Sequence, residues 1–293
     1  MPRIFCKFSC ADTPAQPLWS CRSEPCSALV FVGAQALIYC DNSLYMGTSP
    51  SLLFRQLLAE LPRGQPLGTA WLRLRGLAPK QVARLAQEGW LKRLGHGVYL
   101  LPGDKLDRDA SLAWLARSMP GLHVAGKTAL AWRGVRHNLA FQQTLTLWGD
   151  KPGRLPEWFT AEFPAHYQAT HIFDAQMPPQ LGLAPLPAGR SDMLVSTPER
   201  ALLELLNDVG KRQGLEEARH LVEGVRSPRL QVLDDLFSHL HRIKVVRLAD
   251  MLANELELPW RSVAREHSVR MAGGERWVSA TKTGERLNLR RPT

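Results

Sequence analysis

The sequence contains no cysteine after residue 40, although the chain has 293 residues. The five cysteines all lie near the N-terminus: Cys6, Cys10, Cys21, Cys26 and Cys40. An odd number of cysteines confined to one end does not form a disulfide framework for the whole chain, and their spacing fits no common zinc site. We therefore exclude a cysteine nucleophile from the rest of the chain and predict neither a metal site nor a cofactor.

Long apolar runs are also missing. The apolar stretch at residues 28–39 is too short to span a bilayer, and the segment before it is too long and too weakly basic for a signal peptide. Residues 1–49 show no sustained helical or strand period, so we interpret them as a disordered leader or an upstream extension of the gene model, with Met46 as an alternative start. We expect a cytoplasmic protein that does not contact a membrane.

Motifs of common hydrolases are absent, since neither H-E-x-x-H nor G-x-S-x-G occurs. Asp150 and Lys151 with Glu162 could form a nuclease-like set, and the middle of the chain holds the histidines His123, His137, His166 and His171. Four histidines in such a segment are more often surface or core residues than ligands. We predict that the protein is not an enzyme and keep a nuclease-like activity as the least favoured alternative.

The pattern G-x-x-x-x-G-K-T does occur, at residues 121–128. A phosphate-binding loop needs a strand before it, but the preceding segment has a helical period and Pro120 interrupts the chain. We interpret these residues as a loop before a short helix.

Positive charge is concentrated in two segments. The formal net charge is +10, and residues 50–105 contain nine Lys or Arg against three Asp or Glu, while residues 261–293 contain eight against three. Clustered positive charge suits a polyanion such as nucleic acid, although it also occurs on ordinary solvated surfaces.

Residues 69–101 have the pattern of a winged helix-turn-helix. Gly76 allows a tight turn between two helices, Pro79 begins the second helix and Gly89 ends it, and a hairpin with its tip at residues 95–97 follows. Thr69 is predicted to cap the first helix. An amphipathic helix at residues 51–61 completes the domain. The predicted apolar core comprises Leu53, Leu57, Leu61, Leu72, Val82, Leu85, Trp90, Leu94, Val98 and Leu100.

The second helix of such a motif enters the major groove of DNA. Gln81 and Arg84 are predicted to reach base edges, and Arg84 is the better candidate for guanine. The predicted phosphate contacts are Arg73, Arg75, Lys80, Lys92, Arg93 and His96.

The fold class predicted for the whole chain is α+β. A winged helix-turn-helix at residues 50–105 precedes a mixed α/β domain at residues 106–293, which ends in a helical bundle and a basic tail. Alternating residues at 144–148 predict a strand, and further short strands are predicted at residues 159–163, 171–173, 181–186 and 193–195. Helices are predicted at residues 107–119, 123–132, 196–206, 215–223, 230–240 and 246–256.

Two blocks carry a family resemblance. They are Gly89-Trp90-Leu91-Lys92-Arg93 with Gly97-Val98-Tyr99, and the segment S-T-P-E-R-A-L-L-E-L-L at residues 196–206. With them, residues 50–260 resemble the AbiEi family of antitoxins from type IV, abortive-infection toxin–antitoxin systems. The second block is the more specific, although Glu199 and Arg200 within it are expected to serve a capped helix start.

The resemblance implies a transcriptional repressor of its own operon. It implies double-stranded DNA, in operator or promoter repeats, as one partner, and a neighbouring nucleotidyltransferase-like toxin, which need not be bound directly, as the other. The alternative is a protein-interaction regulator that acts mainly through residues 106–293.

Overall fold

The structure is a computed structural model that describes residues 61–136 and 144–271, the stretches 30–32, 35–40, 43–45, 276–280 and 286–290, and residues 54, 56, 58 and 274. The chain divides into two compact units, residues 1–56 and 57–293. In the first unit, an antiparallel sheet is ordered β1-β2-β3, with strands β1 Val30–Val32, β2 Gln35–Cys40 and β3 Ser43–Tyr45. These strands fall within the predicted leader, and most of the helix predicted at residues 51–61 lies outside the described residues.

The second unit begins with a winged helix-turn-helix, as predicted. Its elements are β4 Leu67–Gly68, α1 Thr69–Leu74, α2 Pro79–Gln87, β5 Lys92–Gly95 and β6 Val98–Leu100. Strand β6 lies between β4 and β5 and is antiparallel to both. Gly76 and Gly89 have φ values of +87° and +81°, the left-handed conformation that glycine adopts without strain after a helix.

Two local predictions in this domain are wrong. Gly68, and not Thr69, is the residue that precedes α1, and no side chain caps that helix. Thr69 instead donates hydrogen bonds from its Oγ1 and its backbone N–H to the Gly97 carbonyl oxygen, at 3.0 and 2.9 Å, and so attaches the wing to the start of α1. Trp90, predicted to lie in the core, is 39% exposed, because it follows the turn at Gly89 and precedes the buried Leu91.

A five-stranded mixed sheet and its helices follow. They are α3 Arg108–Ala116, β7 His123–Val124, α4 Gly126–Trp132, β8 Leu145–Trp148, α5 Glu157–Glu162, β9 Ala165–Gln168, β10 Leu183–Ala184, β11 Val195–Ser196 and α6 Pro198–Asp208. The strand order is β10-β11-β7-β8-β9; β11 is parallel to β7 and β8 is parallel to β9, whereas the other two pairs are antiparallel.

Helices complete the chain as a bundle with a terminal hairpin. They are α7 Leu215–Gly224, α8 Leu230–Ser238, α9 Ile243–Glu255 and α10 Arg261–Arg270, and the hairpin strands are β12 Arg276–Ala280 and β13 Arg286–Arg290. Trp260 is fully buried, and its indole N–H donates to the Val225 carbonyl oxygen at 3.0 Å. In the part of the chain that the structure describes, no helix has the length and apolar character needed to cross a bilayer.

The α+β class is confirmed, but several elements differ from the predictions. Residues 171–173 contain only an isolated bridge from Phe173 to Leu240 and are not a strand, and β9 at Ala165–Gln168 was not predicted. Residues 159–163 are not a strand: Pro156 directly precedes α5, and the ring centres of Phe159 and Phe163, one helical turn apart, are separated by 5.3 Å. His123 and Val124 form β7 and do not belong to the following helix. Helix α10 was missed, because its buried residues are small or polar and form only a weak apolar stripe.

Candidate nucleic-acid interface

Helix α2 divides its residues between the core and solvent. Val82 and Leu85 are buried, whereas Lys80 and Arg84 are exposed on the other side. Pro79 is the first helical residue, and the backbone N–H of Ala78 donates to Gln81 Oε1 at 2.8 Å. This bond fixes the start of α2 and occupies the amide oxygen of Gln81, so a base contact by Gln81 would use its amide N–H groups.

Arg84 is a highly accessible donor on this helix, with a side chain that is 77% exposed. Its Nε lies 2.6 Å from Glu88 Oε1, in an ion pair between residues one helical turn apart. Exposed pairs of this kind contribute only about 0–1 kcal/mol. Arg84 could therefore leave Glu88 and bind a base or phosphate oxygen at little cost in free energy.

A second group of cations lies at the end of α1. The guanidinium carbon of Arg75 lies 3.4 Å from the centre of the Trp71 ring, a stacking geometry that orients the planar group and leaves its N–H edge accessible. Arg73 is also exposed. Among the described residues no carboxylate forms an ion pair with Arg73 or Arg75.

The wing carries the remaining predicted contacts. Lys92, Arg93 and His96 are all exposed, and Arg93 Nε donates to the Gly95 carbonyl oxygen at 3.3 Å. Gly97 has a φ of +69°, which permits the tight turn at the tip. The structure thus places all eight predicted residues on the helix-turn-helix or the wing.

Two tryptophans of the following domain support the wing, and sequence reasoning missed them. Trp114 of α3 and Trp158 of α5 contact each other edge to face, with 5.7 Å between ring centres. A Cβ added to Gly95 would lie 3.3 Å from Trp158, and one added to Gly68 would lie 3.6 Å from Trp114. The β-sheet of the wing therefore approaches this aromatic pair through glycines. In the sequence, Gly95 gave only a turn signal, because a distant contact leaves no local pattern.

A buried carboxylate connects several elements of the following domain. Glu204 of α6 is fully buried and accepts four hydrogen bonds: from His123 Nε2 at 3.1 Å, Gly126 N–H at 3.0 Å, Ser196 Oγ at 2.8 Å and Arg200 Nε at 2.9 Å. Burial raises the pKa of Glu204, but the adjacent His123 and Arg200 outweigh it and lower the pKa below its usual value. An ionised Glu204 therefore connects β7, β11, α4 and α6.

The same contacts account for the G-x-x-x-x-G-K-T pattern. The N–H of Gly126, at the start of α4, is occupied by Glu204 rather than directed at a phosphate site. Thr128 Oγ1 accepts from the Thr146 N–H at 2.9 Å, and Lys127 Nζ lies 3.6 Å from Glu217. The three residues of the G-K-T triplet therefore contact other residues of the chain, Gly126 and Thr128 in the interior and Lys127 at the surface.

Of the residues weighed for catalysis, those that the structure describes are not gathered into a metal site. His123 is engaged with Glu204, and His137 lies outside the described residues. Within the described ranges, no three His, Cys, Asp or Glu side chains are arranged to hold a metal ion.

Glu199, at the start of α6, is buried and forms an ion pair with the exposed Arg229. Its Oε1 accepts from the Arg229 backbone N–H at 2.9 Å and from Arg229 Nε at 3.1 Å, and its Oε2 accepts from Arg229 Nη2 at 3.0 Å. Burial raises the pKa of Glu199, but the bonds from Arg229 outweigh it, and the pKa falls from 4.5 to about 2. Glu199 and Arg200 both have structural roles, but not at a capped helix start: no side chain caps α6, Glu199 binds Arg229, and Arg200 binds Glu204.

The Glu199–Arg229 pair predicts a pH-dependent contribution to stability. Because the folded pKa is lower than the unfolded one, the carboxylate stabilises the fold above about pH 4.5 and loses this effect as the pH falls toward 2. We expect Arg229→Gln to lower the free energy of unfolding by about 1–2 kcal/mol at pH 7, since Arg229 is partly screened by solvent. The deficit should shrink between pH 4.5 and pH 3 in urea denaturation curves.

Arg226→Gln is the matched control, because Arg226 forms an exposed pair with Glu223 only three residues away. Its effect should stay within about 0.5 kcal/mol at each pH. A deficit for Arg229→Gln that is equal at pH 7 and pH 3 would contradict the assignment.

Comparisons with known proteins found two family models and a solved structure that match this chain. Residues 51–141 match a family model described as "Transcriptional regulator, AbiEi antitoxin N-terminal domain", and residues 142–289 match one described as "Transcriptional regulator, AbiEi antitoxin, Type IV TA system". No curated protein matches the sequence. The crystal structure of the RV2827C protein from Mycobacterium tuberculosis is similar, with a TM-score of 0.53 and 19% identity over 84% of this chain and 87% of that chain. At this identity the likeness supports the fold alone.

Proposed function

Because the chain belongs to the AbiEi family of type IV antitoxin transcriptional regulators, we propose that it represses its own operon by binding DNA and counteracts a neighbouring nucleotidyltransferase-like toxin. The observation that supports DNA binding best is the exposed cationic face of α2 beside a basic wing. A repressor of this kind acts on the chromosome, so we place the protein in the cytoplasm.

The proposed recognition divides the work between two kinds of contact. Helix α2 enters the major groove, where Arg84 reads a guanine and Lys80 holds a phosphate. The wing and the end of α1 contact the backbone through Lys92, Arg93 and Arg75, with His96 and Arg73 beside them. Neutralised phosphates release counterions, so binding should weaken steeply with salt.

Single substitutions should separate base contacts from phosphate contacts. We expect Arg84→Ala to cost about 1–3 kcal/mol of binding free energy on operator DNA and to relax the preference at one base pair. We expect Lys92→Ala to weaken all DNA sequences alike and to reduce the salt slope by about one unit. Fluorescence anisotropy with the upstream promoter region and a scrambled duplex, at several salt concentrations, measures both effects.

Arg226→Ala serves as the control, because Arg226 is an exposed arginine on the bundle and forms a comparable ion pair. If Arg84→Ala and Lys92→Ala bind like the unsubstituted protein at every salt concentration, α2 and the wing are not the DNA-binding surface.

For the antitoxin role, we propose that residues 106–293 carry the activity. Residues 142–289 match their own antitoxin model, and most of the buried core lies in this part of the chain. The family description supports a toxin as functional partner, and a nucleotidyltransferase-like reading frame beside the gene would support its proposed identity. Coexpression with that toxin, followed by growth rate, tests the antitoxin role directly.

A further inference from the structure

A basic cavity of about 540 Å³ is lined by residues of the C-terminal part of the chain. It is formed where the end of α6, the start of α9 and the terminal hairpin meet. Its charged or titratable lining residues are Lys211, His241, Arg242 and Lys244, and the lining includes no carboxylate. Among the described residues, Lys211, Arg242 and Lys244 take part in no ion pair with an acidic side chain.

The cations of this cavity are crowded. Lys244 Nζ donates to the carbonyl oxygens of Asn207, at 2.8 Å, and Val209, at the end of α6. Burial lowers the pKa of Lys244 to about 8; the charge of Lys211 and, less strongly, that of Arg242 lower it further, whereas the nearby Asp208 carboxylate raises it. A bound anion would relieve this repulsion.

Helix α9 adds to the positive field. It begins at Ile243, directly after Arg242, and its first turn contains no acidic residue. Basic residues at a helix N-terminus are repelled by the positive end of the helix dipole. An anion bound at this point is attracted by the basic residues and by the helix dipole. The helix end supplements the cation cluster, on which the argument rests.

The opposite wall of the cavity is apolar. Trp277 of β12 and Leu287 of β13 line it from the inner side of the hairpin, and Trp277 is half-buried. Ligand sites commonly enclose about 300–1,000 Å³ and combine apolar walls with a few polar groups. Here the cations and the aromatic ring lie within one cavity of that size.

We propose that this cavity binds a nucleotide, with its phosphates on Lys211, Arg242 and Lys244 and its base against Trp277. The proposal is independent of the DNA-binding function, since its residues lie outside the winged helix. A free nucleotide and the end of a nucleic-acid strand offer the same phosphate and base chemistry.

Calorimetric titration of the full chain with ATP tests the proposal. We expect saturable binding at one site, weakened about tenfold or more by Lys211→Gln and by Arg242→Gln, since each removes a charged hydrogen-bond donor. Arg212→Gln is the matched control: Arg212 is adjacent in sequence and exposed, but its Nη1 donates to Gln168 and it does not line this cavity. Arg84→Ala should leave ATP binding unchanged, which separates this site from the DNA-binding surface.

The role of Trp277 has its own test. Trp277→Leu should weaken the binding of ATP but not the binding of inorganic triphosphate. A thermal melt checks that the hairpin is retained. A short single-stranded oligonucleotide that displaces ATP, with the same sensitivity to Lys211→Gln, would identify a strand end as the source of the nucleotide. The proposal is overturned if ATP shows no saturable binding, if Arg212→Gln weakens it as much as Lys211→Gln, or if adenosine binds as tightly as ATP.

Discussion

Glu204→Gln should lower the free energy of unfolding by about 3–5 kcal/mol, the cost expected when one partner of a buried ion pair is removed. The carboxylate accepts two bonds on each oxygen, from His123 and Arg200 on Oε1 and from Gly126 and Ser196 on Oε2. Glutamine has nearly the same shape but directs an N–H₂ group at two of these donors. It also leaves the buried Arg200 without its carboxylate.

Urea denaturation at pH 7 measures this effect as a shift of the midpoint at constant slope. Ser196→Ala removes a single neutral donor and should cost about 1 kcal/mol, which provides a measurable variant even if Glu204→Gln does not fold. Glu162→Gln, at an exposed position, should stay within about 0.5 kcal/mol. A loss below about 1 kcal/mol for Glu204→Gln would mean that the network contributes little to the fold.

This network also shows what local sequence patterns cannot predict. The helical period of residues 198–206 correctly predicts a core helix, but it gives no reason for a carboxylate at its buried face. The partners of Glu204 include His123 and Gly126, which lie 81 and 78 residues away in sequence. In the sequence, His123 falls within a predicted helix, and Gly126 belongs to a pattern that also occurs in phosphate-binding loops. Only the sheet topology, with β11 beside β7, brings them to one carboxylate.

The winged helix was easier to predict, because its determinants are close in sequence. Glycine at positions 76 and 89, proline at 79 and the alternation of the hairpin specify its turns and elements within a short segment. The exposure of Arg84 opposite Val82 and Leu85 follows from the helical period alone. The contact of the wing with Trp114 and Trp158 cannot be predicted from a local period, since each tryptophan belongs to a helix of the next domain.

The proposed DNA contacts lie on the winged helix, and the proposed antitoxin activity lies in residues 106–293. This division leads to the prediction with the largest expected functional effect. Reversing two charges on α2, as Lys80→Glu with Arg84→Glu, should abolish repression, because each reversal replaces a phosphate or base contact with repulsion. We expect operator affinity to fall by about a thousandfold or more near physiological salt. A promoter–reporter fusion should be fully derepressed, whereas growth in the presence of the toxin should still be rescued by residues 106–293.

The fold should tolerate the double change. Glu at position 80 lies in the first turn of α2, where the helix dipole favours a negative charge, and Glu at position 84 loses one exposed pair and faces Glu88. Arg261→Glu with Arg226→Glu is a closely matched control. Arg261 is the first residue of α10, and Arg226, which follows the end of α7, forms an exposed pair with Glu223, so the net charge change is the same.

The control should repress and rescue normally. Toxin rescue that is lost with the α2 variant but kept with the control, in proteins with equal melting temperatures, would contradict a separate antitoxin domain. It would mean that the antitoxin activity depends on the DNA-binding surface itself. Retained rescue with lost repression would instead assign the two activities to different surfaces, because a charge reversal on exposed residues of α2 does not alter the buried contacts of Glu204 and Glu199 that hold the larger domain together.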